Sequence, residues 1–83
     1  MLRERPGWTN VPTAMPIEVL GSSVVEAVQY DGARQHLDIA LTTGRTYRYL
    51  DVPPEVYRAF ITAKSKGRYY NDHIRDVYIY ERL

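Results

Sequence analysis

The stretch LDIALTTGRTYRYL, which begins at Leu37, consists of two runs of alternating apolar and polar side chains joined by a turn that contains a glycine. A period of two places successive side chains on opposite faces of a strand, so this stretch predicts a β-hairpin. Leu37, Ile39 and Leu41 share one face of its first strand, and Tyr47 and Tyr49 share one face of its second. Such a face needs a covering layer, which places the hairpin at the centre of a small hydrophobic core.

The length of the turn sets the register of the hairpin. A three-residue loop, 42–44, with its glycine in the left-handed conformation places Ile39 opposite Tyr47 and Asp38 opposite Arg48. A two-residue loop would instead place Ile39 against Arg48. The first register pairs apolar with apolar side chains and forms a favourable, exposed cross-strand ion pair. We therefore predict the three-residue loop, with both tyrosines of the second strand facing the core.

The segments around the hairpin extend it into a meander. Residues 24–30 are rich in β-branched side chains and predict a first strand, although their alternation does not decide which face is buried. Asp31-Gly32 is a turn signal between this strand and the hairpin. Residues 16–20 offer a short edge segment, and residues 77–81 alternate again and predict a short fourth strand.

The period changes to that of a helix after Pro53-Pro54. Proline is tolerated in a first helical turn, and apolar residues then follow at helical spacing. Gly67 is the predicted C-terminal cap of this helix, and Asn71 is predicted to cap a single further turn. The expected fold class is α+β: a three-stranded antiparallel β-meander packed against one α-helix, with a C-terminal turn and a short fourth strand. The predicted core consists of Leu37, Ile39, Leu41, Tyr47, Tyr49, Val56, Phe60 and Tyr70.

Length and composition limit what the chain can do. Eighty-three residues form one small domain with a thin core and no deep cleft. Residues 1–15 contain prolines and no period, so they predict a flexible tail, with a single domain at 16–83. The role of Trp8 in that tail stays open. Eight tyrosines against one phenylalanine suit either a core close to the surface or a binding face.

Several function classes lack their sequence signals. Zero cysteines exclude a disulfide framework and a thiolate zinc site, and they fit a reducing, cytoplasmic location. His36 and His73 have no metal-ligand spacing, and the glycines are dispersed at turns rather than gathered in a phosphate-binding loop. No apolar run approaches the roughly 20 residues of a membrane span. We therefore predict no metal, no cofactor, no catalytic residue and no membrane partner.

The strongest candidate for a binding site is the segment KSKGRYYNDHIR, residues 64–75, whose four cations and one carboxylate leave it at +3 while the whole chain carries +1. Cations interleaved with tyrosines are typical of proteins that bind single-stranded nucleic acid, since cations meet phosphates and rings stack on bases. The alternative is that the lysines complement a helix C-terminus and that Tyr70 anchors the segment in the core. Arg45 and Arg48 form a second, weaker patch. The candidate nucleic-acid-binding residues are Lys64, Lys66, Arg68, Tyr69, Arg75, Arg45 and Arg48.

The chain also resembles a known family, the KTSC domain, from Ser22 to the C-terminus. The resemblance rests on Ser22-Ser23, Tyr30-Asp31, Leu37, Gly44, Tyr47-x-Tyr49, Val52-Pro53, Tyr57, Ala63-x-Ser65-x-Gly67, Tyr70-Asn71, Ile74-Arg75 and Tyr78. This small module is named for its occurrence at the C-terminus of some lysyl-tRNA synthetases and also occurs as a stand-alone bacterial protein. The resemblance suggests RNA binding and implies no catalytic residues. The family pattern often has phenylalanine where Tyr70 stands, which favours a packing role for that ring.

We therefore predict a non-catalytic, bacterial, cytoplasmic module that binds single-stranded RNA or tRNA through the basic and aromatic segment after the helix. The alternative partner is another protein, bound by an adaptor through its open sheet face or its N-terminal tail. A small hydrolase is a third class, and it requires His36 or His73 beside a carboxylate in a pocket. The sequence does not give the oligomeric state.

Overall fold

The computed structural model describes residues 17–83, and the predicted tail at 1–15 lies outside the described residues. One antiparallel sheet holds its strands in chain order, and two helices follow the fourth strand. The strands are β1 (Glu18–Val19), β2 (Val25–Asp31), β3 (His36–Leu41), β4 (Thr46–Tyr49) and β5 (Tyr80–Arg82), and the helices are α1 (Pro54–Thr62) and α2 (Lys66–His73). In the described part of the chain, no helix is long and apolar enough to cross a bilayer.

The fold is α+β, but residues 17–83 form five strands and two helices, whereas the sequence predicts a three-stranded meander, one helix and a short fourth strand. The edge segment before Gly21 forms β1, which pairs with β2. The last strand occupies Tyr80–Arg82 instead of 77–81, because the chain first makes a turn in which Val77 and Tyr78 donate to the carbonyl of Ile74. Alternation alone does not distinguish that turn from a strand.

The segment that follows α1 is a second helix, so the prediction of Gly67 as a C-terminal cap and Asn71 as the cap of a single turn was wrong. The helix α1 ends at Ala63, which has extended backbone angles. Ser65 then begins α2 as its N-cap, with its hydroxyl accepting from the Arg68 N–H at 3.3 Å. The glycine lies in the first turn of α2, and the asparagine lies in its interior.

Position 67 of α2 favours glycine because the helix approaches the start of the sheet closely there. A Cβ at this position would lie 3.0 Å from Cγ2 and 3.1 Å from Cβ of Val24. Alanine normally stabilises a helix by up to about 1 kcal/mol relative to glycine. Here overpacking should dominate, and Gly67→Ala should lower the free energy of unfolding by about 1 kcal/mol in a urea titration.

The same substitution at Gly32 is the control, because a Cβ there meets only Cε2 of Tyr30 at an ordinary 3.7 Å. Gly32→Ala should change the free energy of unfolding by less than about 0.5 kcal/mol. Stabilisation by Gly67→Ala would show that Val24 yields and that the close approach is not a constraint.

The predicted register of the hairpin is confirmed. Ile39 pairs with Tyr47 and Asp38 with Arg48 across β3 and β4. The loop has three residues, and Gly44 closes it at φ +97° in the left-handed region. Its N–H donates to the Leu41 carbonyl at 3.0 Å. The local chemistry of the turn was therefore sufficient to set the pairing.

The buried face of β2, which alternation left open, is decided by a β-bulge between Val25 and Ala27. The extra residue, Glu26, is exposed, and the alternation resumes with shifted phase. As a result Val25 and Val28 both fall on the face that carries Ile39. A strict period of two cannot place these two valines together, which explains the ambiguity in the sequence.

The core lies between that face of the sheet and the two helices. Strand residues, helix residues and Val52 in the connection to α1 form a single buried cluster: Val25, Val28, Tyr30, Leu37, Ile39, Tyr49, Val52, Tyr57, Phe60, Tyr70 and Ile74. Leu41, Tyr47 and Val56, which the sequence also assigns to the core, are partly buried against this cluster. Tyr30 stacks on Tyr57 with ring centroids 4.8 Å apart, and its hydroxyl donates to the Val52 carbonyl at 2.6 Å.

The opposite face of the sheet carries an ion pair with a buried carboxylate and a partly buried guanidinium, so the prediction of an exposed pair was wrong. Asp38 is only 5 % exposed. Two nitrogens of Arg48 donate to its two carboxylate oxygens, Nε at 2.8 Å and Nη2 at 3.0 Å. This bidentate pair raises the pKa of the Arg48 guanidinium above its ordinary value, because the hydrogen-bonded carboxylate stabilises the charged form.

Candidate nucleic-acid interface

A pocket of about 360 Å³ opens between the helix-covered face of the sheet and the end of α2. Its volume lies within the range of roughly 300–1,000 Å³ that is usual for small-molecule sites. Four tyrosine rings dominate a lining that also contains amide, guanidinium and carboxylate groups: Val24, Leu41, Tyr47, Tyr49, Tyr70, Asn71, Arg75, Asp76 and Tyr80. The pocket therefore combines aromatic walls with polar groups of both charges.

The inner wall of the pocket is held by a pair of tyrosines. The hydroxyls of Tyr49 and Tyr70 are 2.6 Å apart and share a hydrogen bond, and the two rings meet edge to face with centroids 6.0 Å apart. Both residues are almost fully buried. Burial raises the pKa of each hydroxyl above its ordinary value, so both are neutral near pH 7. These two rings form the fixed inner wall of the site.

Two further tyrosines form the rim. Tyr47 is half-buried and Tyr80 is 55 % exposed, and their rings stand at 90° with centroids 5.2 Å apart. Cross-strand pairing puts Tyr80 beside Tyr49 and Arg82 beside Tyr47. The rim therefore presents aromatic surface to solvent next to a cation.

Three arginines act on the hydroxyl of Tyr47. A hydrogen bond with the Arg45 side chain lowers its pKa below the ordinary value, and the charges of Arg82 and Arg75 act in the same direction. Arg75 also donates from Nη1 to Oδ1 of Asn71 at 3.4 Å. Arginines from the β3–β4 connection, from β5 and from the segment after α2 therefore act on one rim tyrosine.

The other cations of the predicted basic segment lie on a different surface. Lys64, Arg68 and Tyr69 line a shallow groove along α2 together with Ala63, Ser65, Asp72 and His73. The ring of Tyr69 is half-buried and stacks on Phe60 at 5.7 Å, with His73 on it at 4.5 Å. Arg68 faces Asp72 one turn later, with Nε 3.8 Å from the carboxylate. The segment is therefore a helix, not the loop that the sequence predicts.

Two predicted nucleic-acid residues have structural partners. Lys66 donates from Nζ to the Ala63 carbonyl at the end of α1, which satisfies an acceptor that a helix end leaves open. Arg48 is engaged by Asp38 on the far face of the sheet. The structure thus separates the seven predicted residues into four groups. Arg75 lines the pocket, and Arg45 acts on the rim residue Tyr47 without lining the pocket. Lys64, Arg68 and Tyr69 line the α2 groove, and Lys66 and Arg48 have structural contacts.

The structure also places Ser22 and the two histidines that a hydrolase would require. The Ser22 hydroxyl accepts from the Val24 N–H at 3.1 Å, which is the role of a backbone cap. His36 lies in β3 and pairs across the ladder with Asp31, while His73 packs on Tyr69. Within residues 17–83, no group of three or more histidine and carboxylate side chains could hold a metal ion.

A family model, described as the KTSC domain, matches residues 21–78, which include every element from β2 to α2. The chain belongs to the KTSC domain family. The crystal structure of a KTSC domain protein from Yersinia pestis is similar to it, with a TM-score of 0.79 and 28 % identity. The match covers 82 % of this chain and 96 % of that one.

Relatives of this KTSC domain include both short and long proteins. A protein of Tsukamurella paurometabola is 43 % identical over 60 residues, which make up 72 % of this chain and 85 % of that protein. A lysine–tRNA ligase of Nostoc punctiforme is 33 % identical over 70 residues, which make up 84 % of this chain and 12 % of the ligase. The same domain therefore occurs within a much larger protein.

Five of the residues that carry the sequence resemblance to the KTSC family line the pocket. Tyr47-x-Tyr49 comes from β4, and Tyr70-Asn71 and Arg75 come from α2 and its end. Sequence reasoning treated these groups separately, as core residues or as loop cations. It missed Tyr80 and Arg82, because the last strand had been placed too early and its pairing with β4 was not assigned.

Proposed function

We propose that this KTSC domain is a non-catalytic module that binds single-stranded RNA at the tyrosine pocket. The observation that carries the proposal is that Tyr47, Tyr80 and Arg75 line one pocket, with Arg82 opposite Tyr47 across β4 and β5. Arg45, directly before β4, adds a third cation that acts on Tyr47. Arginines bind phosphate groups, and exposed rings stack on bases without regard to their identity. Both kinds of contact are available at one rim.

The geometry favours a single strand over a duplex. Bases in an A-form helix are stacked and paired, so their faces cannot reach a ring that lies at the mouth of a pocket. An unpaired base can turn outward, stack on Tyr47 or Tyr80 and direct its edge towards Asn71 and Arg75. Phosphates on either side of that base then lie within reach of the rim arginines.

The relatives of this chain also support an RNA partner. Lysine–tRNA ligases of Nostoc punctiforme and Trichormus variabilis contain a region similar to this chain, and a module joined to such an enzyme is well placed to meet RNA. Lys64 and Arg68 lie on a different surface, the groove along α2, so they are not counted among the contacts of the pocket.

The test is a titration of a fluorescently labelled uridine heptamer with the full chain, followed by anisotropy at several salt concentrations. Each phosphate contact to a single strand adds roughly 0.7 to the slope of log affinity against log salt, so three arginines predict a slope of about −2. Arg75→Gln should reduce the magnitude of that slope by about 0.7. Arg58→Gln is the matched control, because Arg58 is exposed on α1 and does not line the pocket.

Two results would contradict the proposal in different ways. Equal slopes of log affinity against log salt for the Arg75→Gln and Arg58→Gln variants would show that RNA binds outside the pocket. An absence of association at low salt would remove RNA as the partner of the isolated chain.

The second candidate function is a protein-interaction adaptor, and the surface that favours it is the C-terminal segment. Val77, Ile79, Tyr80 and Leu83 are large apolar side chains exposed to between 40 and 75 % of their surface. They lie in or beside β5, which is an edge strand of the described sheet. An adaptor would pair a partner strand with that edge. Replacement of Val77 and Ile79 by serine should then weaken binding of a protein partner, while RNA binding, which uses Tyr80 and Arg82, should be unchanged.

A further inference from the structure

The polar side chains of the pocket can form hydrogen bonds with the edge of a nucleic-acid base. Asn71, Arg75 and Asp76 line it side by side, while the remaining lining is aromatic or aliphatic. Arg75 and Asp76 line the same pocket as Tyr70, whose hydroxyl has a pKa that burial raises. Among residues 17–83, Asp76 takes part in none of the ion pairs. Asp76 is exposed at the pocket, so its carboxylate is free to accept hydrogen bonds from a ligand bound there.

Guanine is the RNA base that matches these groups. Its Watson–Crick edge has two adjacent donors, N1–H and the N2 amino group, which fit the two oxygens of one carboxylate. Its O6 and N7 are acceptors that a guanidinium can meet with two donors. Adenine and cytosine place an acceptor nitrogen beside their amino group, and uracil flanks its single N–H with two carbonyls. Each of those three edges directs an acceptor at a carboxylate.

We propose that the pocket selects guanine, with Asp76 accepting from N1–H and N2–H and Arg75 donating to O6 or N7. The proposal rests on the RNA-binding function described above and specifies which nucleotide occupies the site. The perpendicular rings of Tyr47 and Tyr80 support guanine binding. A base that stacks on one of these rings contacts the other ring at its edge. The Asn71 amide supplies a further donor on the same side of the pocket.

The experiment compares four labelled heptamers of the form UUUXUUU, in which the central nucleotide X is G, A, C or U, by anisotropy with the full chain at low salt. The heptamer with G should bind about tenfold or more tightly than the other three, as one well-formed bidentate contact provides. Asp76→Asn should remove this preference, because an amide offers one acceptor where the carboxylate offers two. Binding of the other three heptamers should change little.

Asp72→Asn is the matched control. Asp72 is exposed on α2 beside Arg68 and lines the groove instead of the pocket. Both substitutions remove one negative charge, so any general strengthening of RNA binding appears in both variants. Only Asp76→Asn should lose the preference for G, and thermal melts of the two variants verify that both are folded.

The outcomes separate the two proposals. Equal affinity for all four heptamers overturns guanine selection while RNA binding stands. A preference for G that survives in the Asp76→Asn variant overturns the role of the carboxylate. A chain that binds none of the heptamers overturns both proposals together.

Discussion

Replacing Tyr49 by alanine should lower the free energy of unfolding by about 3 kcal/mol, the size expected when a large aromatic side chain is removed from a core. The residue is only 2 % exposed. Its ring contacts those of Tyr47, Tyr70 and Tyr80, and its hydroxyl is hydrogen-bonded to that of Tyr70. Loss of this ring therefore removes packing from the sheet, from α2 and from the rim at once. Urea denaturation near neutral pH measures the change.

Two further variants separate packing from hydrogen bonding. Tyr49→Phe keeps the ring and should cost about 1–2 kcal/mol, because the buried hydroxyl of Tyr70 loses its partner. Tyr80→Ala removes a ring that is 55 % exposed and should cost much less than Tyr49→Ala. If Tyr49→Ala were no more destabilising than Tyr80→Ala, the inner wall of the pocket would not be part of the stabilising core.

The hairpin shows what the sequence was able to predict. Its register follows from the length of one loop and from the chemistry of pairs that lie close together in the chain, such as Asp38 with Arg48. Gly44 carries the signal for the loop, since a left-handed conformation after two threonines suits glycine. Local signals of this kind do not depend on the rest of the fold.

The second helix shows where local signals are ambiguous. Gly67 has two physical uses, as a C-terminal cap or as a site of close approach, and only the position of Val24 reveals that the second applies. Ser65 carried the N-cap signal, but the glycine two residues later favoured the end of a helix over its beginning. The bulge at Glu26 is similar, because an extra residue in a strand changes the phase of a pattern without leaving a distinct mark in it.

The candidate site was predicted in part, for a related reason. Arg45 and Arg75 were recognised as cations, but their proximity to Tyr47 depends on contacts between distant parts of the chain. Tyr80 and Arg82 entered the site only through the pairing of β4 with β5. Composition and spacing indicated aromatic and basic chemistry, whereas the tertiary fold decided which aromatic and which basic residues share one pocket.

Among substitutions of charged residues, we expect replacement of Arg48 to have the largest effect on the free energy of unfolding. Arg48→Met should lower the free energy of unfolding by about 3 kcal/mol or more, because it leaves the Asp38 carboxylate buried without its guanidinium. The Asp38 side chain is only 7 % exposed, and the methionine side chain covers the carboxylate without donating a hydrogen bond to it. Lysine should rescue only part of the loss, since a single ammonium cannot reproduce the bidentate geometry.

The double variant Asp38→Leu with Arg48→Met tests whether the unpaired Asp38 carboxylate causes this loss of stability. Removal of both charges leaves no unpaired buried ion, so the double variant should be more stable than Arg48→Met alone. RNA binding by the folded double variant should match that of the unchanged chain, because Arg48 lies on the face of the sheet away from the pocket. A stable double variant with weakened RNA binding would instead make Arg48 a phosphate contact, as the sequence by itself predicts, and would extend the RNA surface to both faces of the sheet.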